Sequence, residues 1–428
     1  MKKSRKWITY FGGTFLICAC LLSQNKLEGT AADGSEFAQV TSESAIAKEE
    51  PLEATFEKKY ISLWPGETMK NTIDIKGEYD DLHWHSQNNQ YATVDQKGTV
   101  HMKKAGSGHK CRISVTISYE RQDQEHEKTI SYVVEGKRTA NELQVSAKQD
   151  YVFVGKTLKL AAEYKPKNAA HAQLLWESEN EKYAKISQKG KIHPKKAGAG
   201  KTVVFTAKTT EGPHRKAKIA IRIIDPKKPM VALTFDDGPS VEYTSRIVKQ
   251  LKNYEARATF FVVGSRIGGK EGNKLLKKSA DYGNEIASHT YSHSNLASLS
   301  VSRLQQEDRN TRTKIEKITG QKVLLTRPPY GSYSDTVKAT VQTPLILWSI
   351  DTRDWQTRNC DLTVQKVMSA VKDGDIILMH DIYSTTASAA EQIIPQLAKR
   401  GFQMVTVSEL ATYKKAALKA GSAYSSIR

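Results

Sequence analysis

The second half of the chain alternates short apolar runs with longer polar segments. From Val231 onward the apolar runs read "VALTF", "ATFFVVG", "NEIASH", "VLLTRPP", "LILWSID", "DIILMHD" and "FQMVTV". The polar segments up to about Tyr254, over 301–319 and over 386–400 have the spacing of helices. Strands that alternate with helices predict an α/β domain, with a parallel sheet or a barrel, over residues 229–415, followed by a tail at 416–428.

The first half has a different pattern, in which short alternating runs are separated by turn residues. Runs such as "RISVTISY" and "TVVFTAKT" have the two-residue period of strands, and "QKG" is typical of a hairpin turn. The segment "WHSQNNQYATVDQKGTVHMKKAGSG" from Trp84 recurs as "WESENEKYAKISQKGKIHPKKAGAG" from Trp176, at an offset of 92 residues. A repeat of this size indicates a domain duplication. We therefore expect two small all-β sandwiches, at 58–136 and 137–225.

The N-terminus has the organisation of a secretory signal. In residues 1–32, four basic residues precede an apolar run from Trp7 to Leu22. Cleavage after Ala32, a lipoprotein cysteine at Cys20 and an uncleaved membrane anchor remain open. All three place the rest of the chain on the extracellular side, secreted or anchored to the membrane or cell wall. Residues 33–57, rich in Ala, Ser and Glu, are expected to form a flexible tether.

The net charge of the chain indicates which classes of binding partner to expect. The chain carries a formal net charge of +19, which favours polyanionic partners. The sequence has no basic stripe interleaved with aromatic residues, so we expect no nucleic-acid partner and favour a cell wall or a membrane surface. Of the four cysteines, two lie in the N-terminal apolar run, and Cys111 and Cys360 fall in different domains. This distribution argues against a disulfide framework.

Polar residues end five of the predicted strands. Taken alone, Asp236 and Asp237 before a Gly-Pro pair are explained by a turn, and His289 and His293 are a histidine pair of ambiguous meaning. In folds with parallel strands, however, the carboxyl ends converge where chemistry takes place. The strand ends read "TFDDGPS", "IASHTYSHSNL", "RPPYG" (327–331), "DTRDW" (351–355) and "LMHD" (378–381).

Together these strand ends supply the parts of a hydrolytic metal site. They offer two histidines and a carboxylate as metal ligands, with a spare carboxylate, an arginine and a further histidine. A divalent ion with three protein ligands and open positions makes water a nucleophile near neutral pH. A carboxylate can accept the proton of that water, and a histidine on the opposite side can protonate the leaving group.

In this order, "TFDDG", "HTYSH", "RPPYG", "DTRDW" and "IILMH" resemble the five motifs of the polysaccharide deacetylase family, also called the NodB-homology family or carbohydrate esterase family 4, over roughly 229–412. The resemblance implies a distorted (β/α) barrel with fewer than eight regular units. It also implies these roles: Asp236 as general base and His380 as general acid; Asp237, His289 and His293 as ligands of a divalent metal, usually zinc, sometimes cobalt or another ion; Arg327 as the partner of the base; the Tyr330 amide as the oxyanion donor; Asp354 as the residue that orients His380; and Trp355 and Leu378 as the pocket for the acetyl methyl group.

The first half resembles the bacterial immunoglobulin-like family, over about 56–224, in its pattern W-x-S-x-N…A-x-V-x-x-x-G-x-V…A-G-x-G. This resemblance implies a spacer or adhesive role and no catalytic residues. A spacer role predicts that a chain beginning near Asp225 folds alone. We interpret the histidines of this half as surface residues; they include His83, His85, His101 and His193.

The function implied is that of a hydrolase that removes N-acetyl groups from a cell-wall polysaccharide and releases acetate. Peptidoglycan is the leading substrate, with N-acetylglucosamine as the sugar, because "RPPYG" and "DTRDW" look more like that branch than the N-acetylmuramic one. Chitooligosaccharide and O-acetyl xylan remain open because the catalytic core is shared. A non-catalytic cell-surface binding protein is the alternative of another class, and it is disfavoured because no catalytic position departs from the motifs. We expect a monomer.

Overall fold

A computed structural model of the chain describes residues 51–428. The expected signal or anchor, and the tether up to residue 50, lie outside these residues. The rest of the segment predicted as a tether, 51–57, contains a strand at Glu53–Phe56 and the buried Leu52, so it belongs to the first sandwich. The described chain divides into two compact units. One holds the residues up to Glu142 with Tyr164–Gln173 and Thr210–His214, and the other holds Leu143–Glu163, Leu174–Thr209 and Arg215–Arg428. Within residues 51–428, no helix has the length and apolar character needed to cross a membrane.

The first copy of the repeat folds into short, mostly antiparallel strands. They are β1 Glu53–Phe56, β2 Tyr60–Leu63, β3 Thr68–Lys70, β4 Ile73–Lys76, β5 Asp81–Ser86, β6 Ala92–Val94, β7 Thr99–Met102, β8 Lys110–Arg121 and β9 Gln124–Gly136. One sheet has the order β2-β9-β8-β5, a second has the order β3-β7-β6, and β1 pairs with β4. The first strand of the larger sheet, β2, lies parallel to the last strand, β9.

The second copy repeats this arrangement. Its strands are β10 Glu142–Ala147, β11 Tyr151–Phe153, β12 Leu158–Lys165, β13 Leu174–Ser178, β14 Ala184–Ile186, β15 Lys191–Pro194, β16 Thr202–Thr209 and β17 Lys216–Ile224. The sheet β11-β17-β16-β13 corresponds to β2-β9-β8-β5, and β10-β12-β15-β14 corresponds to the remaining strands of the first copy. The long β12 takes the place of β3 and β4, which are separated at Asn71, whose buried side chain bonds to both backbone groups of Lys58. The two copies therefore share one strand topology, as a duplication predicts.

A tryptophan packed on a glycine recurs in both copies and explains two of the repeated sequence positions. Gly98 and Gly190 have φ values of 79° and 72°, in the left-handed region that favours glycine. A Cβ at Gly98 would lie 2.5 Å from the ring of Trp84, and one at Gly190 would lie 3.2 Å from the ring of Trp176. The turn therefore keeps glycine for its backbone conformation and for the close approach of the ring.

The second half forms the α/β domain that the alternating pattern predicts. Its strands are β18 Met230–Asp236, β19 Thr259–Val262, β20 Glu285–Ser288, β21 Leu345–Ile346, β22 Ile350–Asp351, β23 Asp375–His380, β24 Gln403–Met404 and β25 Ala423–Tyr424. Its helices are α1 Val241–Asn253, α2 Lys270–Tyr282, α3 Val301–Thr319, α4 Asp335–Thr340, α5 Asp354–Thr357, α6 Cys360–Ala370, α7 Ser384–Lys399 and α8 Val407–Lys414. The parallel sheet has the order β20-β19-β18-β23-β22, with β24 beside β18.

Isolated bridges extend this sheet beyond β20. Thr326 pairs in parallel with Ser288 on one side and with Leu345 on the other, and β21 pairs in parallel with β25. Closure of the sheet into a barrel stays a prediction.

The central strand β18 explains why the domain has two apolar layers. All seven of its residues are buried. Val231, Leu233 and Phe235 pack into one cluster, whereas Met230 and Ala232 pack into another on the opposite side. A near-continuous apolar run is what a parallel strand covered on both faces requires.

Two predicted strands are much shorter in the structure. The run "VLLTRPP" contributes only the bridge at Thr326, and "LILWSID" contributes the two-residue strands β21 and β22. The guanidinium of Arg327 donates to the carbonyls of Ile346 and Leu347, so a side chain takes two of the backbone acceptors in this stretch. The segment 416–428, expected as a tail, contains β25 and the buried Ile427.

Most of the second sandwich lies in the same compact unit as the α/β domain and is packed against it there. The buried Arg222 of β17 donates to the carbonyl oxygens of Glu255 and Met404, at 3.2 and 3.0 Å. The aromatic rings of Tyr151 and Tyr413 meet edge to face at 4.9 Å. This interface differs from the simple spacer that the sequence suggested, because removal of the second sandwich would expose apolar side chains and leave the Glu255 carbonyl without its donor.

Candidate metal and catalytic site

Strand register brings the polar motifs to one edge of the sheet. Asp236, the last residue of β18, is the register partner of Phe261 in β19 and of His380 in β23. Ser288, the last residue of β20, lies one step further along the same edge and is followed by the histidine loop. The motifs predicted at separate strand ends are therefore brought together by the sheet.

The three predicted metal ligands form a compact group. The potential ligand atoms of Asp237, His289 and His293 all lie within 4.8 Å of one another, and within residues 51–428 this is the one such group. Oδ1 of Asp237 lies 3.2 Å from Nε2 of His293 and 3.6 Å from Nε2 of His289. This oxygen is buried and has no hydrogen-bond partner. A buried acceptor that faces two imidazole nitrogens fits a cation between them.

The protonation of these ligands also suits a cation. Nδ1 of His289 lies 2.8 Å from the carbonyl oxygen of Arg327, which can only accept, so the proton is on Nδ1 and the lone pair of Nε2 faces the site. Burial lowers the pKa of His289, which favours the neutral ring. Burial would raise the pKa of Asp237, but His293 and His289 lower it to about 2, so this carboxyl is an anion at neutral pH.

The histidine loop is held from behind by Glu307, a residue that the motif analysis did not identify. Glu307 lies on α3 and is 2% exposed. One carboxylate oxygen accepts from the amides of Tyr291 and Ser292, both at 2.7 Å, and the other accepts from the Ser292 hydroxyl. These amides lie in the chain between His289 and His293, the two predicted histidine ligands. A glutamate in a charged helix gives no sequence signal for this contact, because the period of α3 alone does not show what lies against it.

The carboxylate of Asp236 is paired with a buried arginine. Nη1 of Arg327 donates to Oδ1 of Asp236 at 2.7 Å, and the other oxygen lies 3.6 Å from Nε2 of His289. The arginine is fully buried, and it also donates to Thr234 and to the carbonyls of Ile346 and Leu347. These bonds fix the buried guanidinium, which in turn holds the Asp236 carboxylate in one orientation.

On the other side of the site, Asp354 fixes the ring of His380. Oδ1 of Asp354 lies 2.8 Å from Nδ1 of His380, and Oδ2 accepts from the His380 amide and from the Thr386 hydroxyl. The Nδ1 proton therefore points to the carboxylate, which leaves Nε2 for the cleft. Burial would lower the pKa of His380, but the hydrogen bond and charge of Asp354 raise it above its ordinary value. Asp354 is 1% exposed, and the same contact lowers its pKa although burial opposes this.

The predicted substrate-contacting residues differ in their exposure. Tyr330 has a φ of 60° and a side chain that is 71% exposed, with its ring 4.9 Å from that of His293. Trp355 is 47% exposed, whereas Leu378 is buried in β23. The structure thus brings Tyr330 beside a predicted ligand, and the contacts of Trp355 and Leu378 with a substrate stay a prediction.

A second unpredicted residue, Asp381, braces the turn after β18. It is fully buried; one oxygen accepts from the Thr244 hydroxyl and the other has no hydrogen-bond partner. Burial raises its pKa to about 7. A Cβ on Gly238 would lie 2.5 Å from both carboxyl oxygens, so this position requires glycine. The motif "LMHD" contains Asp381, but the sequence does not show that it faces the Asp236–Gly238 turn.

Comparisons with known proteins agree with this arrangement. A family model described as polysaccharide deacetylase matches residues 224–344, and one described as bacterial Ig-like domain (group 2) matches residues 139–217. The chain is 42% identical over 192 residues to the peptidoglycan-N-acetylmuramic acid deacetylase PdaC of Bacillus subtilis, a match that covers 45% of this chain and 41% of that protein.

Two further relatives carry a different sugar in their names. The chain is 37% identical over 180 residues to the peptidoglycan-N-acetylglucosamine deacetylase PgdA of Listeria monocytogenes, covering 42% of this chain and 38% of that protein. It is also 37% identical over 193 residues to a peptidoglycan-N-acetylglucosamine deacetylase of Bacillus cereus, covering 43% of this chain and 89% of that protein. The chain thus spans about two fifths of the length of PdaC and PgdA, and most of the Bacillus cereus protein. It belongs to the polysaccharide deacetylase family.

Proposed function

We propose that this protein is a metal-dependent hydrolase that removes N-acetyl groups from peptidoglycan N-acetylglucosamine on the extracellular side of the cell and releases acetate. The observation that carries the proposal is the position of two acid–base groups beside one ligand group. Asp236 and His380 end neighbouring strands in register, and the Asp237, His289 and His293 group follows at the same edge. Family membership supports the reaction type.

The ion would be held by Asp237, His289 and His293, with zinc as the preferred metal and cobalt or another divalent ion as alternatives. A bound divalent ion supplies Lewis acidity, which polarises an acetyl carbonyl and makes water a stronger nucleophile. The fit of the site rests on the anionic Asp237, the neutral His289 and the buried oxygen that has no hydrogen-bond partner.

The residues of the chain would then divide the proton transfers between them. Asp236, held by Arg327, accepts a proton from the attacking water. The Tyr330 amide donates to the oxyanion that forms at the acetyl carbonyl. His380 donates a proton from Nε2 to the sugar nitrogen as the carbon–nitrogen bond breaks, because its Nδ1 is already bonded to Asp354. Acetate and a free amine result, and no acyl-enzyme is needed.

The acetyl group and the sugar of the substrate would contact different residues around the site. Leu378 is buried and, with Trp355, offers an apolar wall for the acetyl methyl group. The exposed faces of Trp355 and Tyr330 offer flat aromatic surfaces against which sugar rings can pack. An extended polysaccharide can reach such an open rim without unfolding of the protein.

A second candidate substrate is peptidoglycan N-acetylmuramic acid. It is favoured by the 42% identity to PdaC, whose name specifies that sugar. Chitooligosaccharide and O-acetyl xylan share the same catalytic requirements. A non-catalytic cell-surface binding protein is disfavoured because the proposed base, acid and ligands are all present, and Asp236, His289 and His380 are held by specific bonds.

The experiment that tests the proposal is acetate release by the zinc-loaded full chain from peptidoglycan, chitooligosaccharides and acetylxylan in parallel. Mass spectrometry of the digested peptidoglycan would identify the deacetylated sugar. We expect acetate from peptidoglycan and loss of the acetyl group from N-acetylglucosamine. Loss from N-acetylmuramic acid alone would favour the second candidate. No acetate from any of the three substrates, by protein that holds its metal, would contradict the enzymatic function.

A further inference from the structure

The net charge of the chain is concentrated in one of the two sandwich copies. Residues 137–225 contain 19 Lys and Arg residues against eight Asp and Glu, whereas residues 58–136 contain eleven of each kind. The two segments share one strand topology. The fold therefore does not require the excess positive charge, and the charge needs another explanation.

Part of this charge forms a regular grid on the outer face of the sheet β10-β12-β15-β14. Lys159 on β12 lies directly opposite Lys191 on β15, and Lys185 on β14 lies directly opposite His193 on β15. All four side chains are exposed. The Lys159–Lys191 pair places like charges directly opposite each other, which destabilises a sheet unless an anion offsets them.

The first copy has a different set of residues at the equivalent positions. There, Lys70 lies opposite Thr99, and Thr93 lies opposite His101. Threonine thus occupies, in the same fold, the two positions that are Lys185 and Lys191 in the second copy. The comparison shows that a neutral, β-favouring residue satisfies the strand at both positions.

The lysines of this grid have no ion-pair partner among the residues that the structure describes. Other lysines of the second copy form ion pairs, such as Lys208 with Glu177 at 2.5 Å and Lys201 with Glu255 at 3.2 Å. Among residues 51–428, no acidic side chain forms an ion pair with Lys159, Lys185 or Lys191. Their charges are therefore available to an external anion.

We infer that this basic face, defined by Lys159, Lys185, Lys191 and His193, binds a phosphodiester polymer of the cell envelope. Neighbouring positions of the face lie about 5 Å apart across strands and about 7 Å apart along a strand, which suits an array of repeated phosphate charges. Lysine binds phosphate as a point charge and does not require one fixed geometry. The face has no exposed large apolar side chain on β12, β14 or β15, which disfavours a membrane surface as the partner.

Because the second sandwich packs on the α/β domain through Arg222, a polymer bound to this face would hold the catalytic domain at the wall. The inference adds a binding surface to the proposed deacetylase and does not depend on its activity. Binding and catalysis can therefore be tested separately on the same protein.

The test compares the full chain with the double variant Lys185→Thr/Lys191→Thr, which introduces the residues of the first copy. The matched control is Lys216→Thr/Lys218→Thr, which removes the same charge from exposed positions of β17 in the other sheet. The probes are purified bacterial cell walls, before and after removal of phosphodiester polymers with hydrofluoric acid, and soluble long-chain polyphosphate. Vesicles of phosphatidylglycerol and phosphatidylcholine report on a lipid surface.

We expect the Lys185→Thr/Lys191→Thr variant to bind intact walls and polyphosphate roughly 10- to 30-fold more weakly, since each lysine at an anionic surface contributes about a factor of five. The control variant should lose much less, and both should deacetylate soluble chitooligosaccharides as the unchanged chain does. Equal losses of binding in the two variants would show that binding depends on the net charge of the sandwich and not on the basic face. Equal binding to stripped walls, or tighter binding to vesicles than to walls, would overturn the assignment of a phosphodiester polymer.

Discussion

Histidine residues have different environments in the two halves of the molecule. In the sandwiches, His83, His85, His101 and His193 are exposed on strands. At the strand ends of the α/β domain, the ring of His289 is buried against the Arg327 carbonyl, and that of His380 is fixed by Asp354. The difference shows that residue type alone does not identify a site. What separates the two groups is a partner that fixes the ring and leaves one nitrogen facing other polar groups.

The two sandwiches also differ from each other, in their net charge. They share one topology, but the first carries no net charge, and the second carries an excess of basic residues and is packed on the α/β domain. A duplication preserves the positions that pack against the core, such as the partly buried Trp84 and the buried Trp176, and leaves the exposed positions to change. The exposed positions are therefore where the copies can differ in binding.

The largest expected effect is a loss of metal binding and activity, which should follow substitution of a histidine in the α/β domain but not of one in the sandwiches. His293→Ala removes a proposed ligand and should abolish most metal binding and activity, by more than the roughly 10- to 100-fold that loss of an outer partner costs. His101→Ala, an exposed histidine of the first sandwich, is the matched control and should change neither. Metal content by plasma mass spectrometry and acetate release measure both variants. Full metal retention in His293→Ala would show that the ligand is assigned to the wrong residue.

The next effect concerns the support of the histidine loop. Glu307→Gln weakens the acceptor of the Tyr291 and Ser292 amides, so we expect metal affinity to fall about 10- to 100-fold. The control is Glu316→Gln on the same helix, whose carboxylate accepts from the Val323 amide, away from the loop. Titration with cobalt, followed by its absorption spectrum, measures affinity and ligand geometry without relying on activity. An unchanged affinity and spectrum in Glu307→Gln would show that the loop does not need this carboxylate.

A smaller effect is expected in the pH profile. The proposed mechanism requires protonated His380, so the activity should be lost as pH rises through the pKa of that ring. Asp354 raises this pKa, and Asp354→Asn should therefore move the basic limb of the rate profile to lower pH. Acetate release between pH 6 and 10, as an approximate range around the ordinary histidine value, measures the limb. If the basic limb of the Asp354→Asn profile stays at the same pH, the general acid is a group other than His380.

The smallest effect on catalysis, but a large one on stability, is expected at the junction between the second sandwich and the α/β domain. Arg222→Ala removes the donor to the Glu255 carbonyl and one of the two donors to the Met404 carbonyl, and should reduce the free energy of unfolding by about 2–4 kcal/mol. Lys218→Ala, an exposed residue of the same strand, should change it by less than about 0.5 kcal/mol. Urea unfolding measures both. Equal free energies of unfolding for Arg222→Ala and the unchanged chain would favour the simple spacer role that the sequence suggested. A chain beginning near Asp225 would then be expected to fold alone.

Sequence patterns predicted those parts of the structure that depend on the local spacing of apolar residues and on the order of the motifs along the chain. The helix over 301–319 begins and ends at Val301 and Thr319, and "TFDDG" and "HTYSH" end β18 and β20 as expected. The short strands near Leu345 and Ile350 could not be predicted in the same way. Arg327, which lies some 20 residues earlier, takes the carbonyl groups of Ile346 and Leu347 that a longer first strand would use.

The supporting residues of the site escaped prediction for a related reason. Glu307 and Asp381 act on the loops that hold Asp237 and His289 from positions whose distance in the sequence gives no indication of contact. The junction at Arg222 was missed because a single arginine in a strand has the pattern of a surface residue until its partners are known.

The most direct test of the central claim, that acid–base hydrolysis takes place beside the Asp237, His289 and His293 group, is acetate release from peptidoglycan by the zinc-loaded chain and by its Asp236→Asn variant at equal metal content. Asp236 is the proposed base and not a ligand, so the variant should keep its zinc. Its rate should fall about 10²- to 10⁴-fold, the usual contribution of a general base. An Asp236→Asn variant that releases acetate at the unchanged rate would contradict the account.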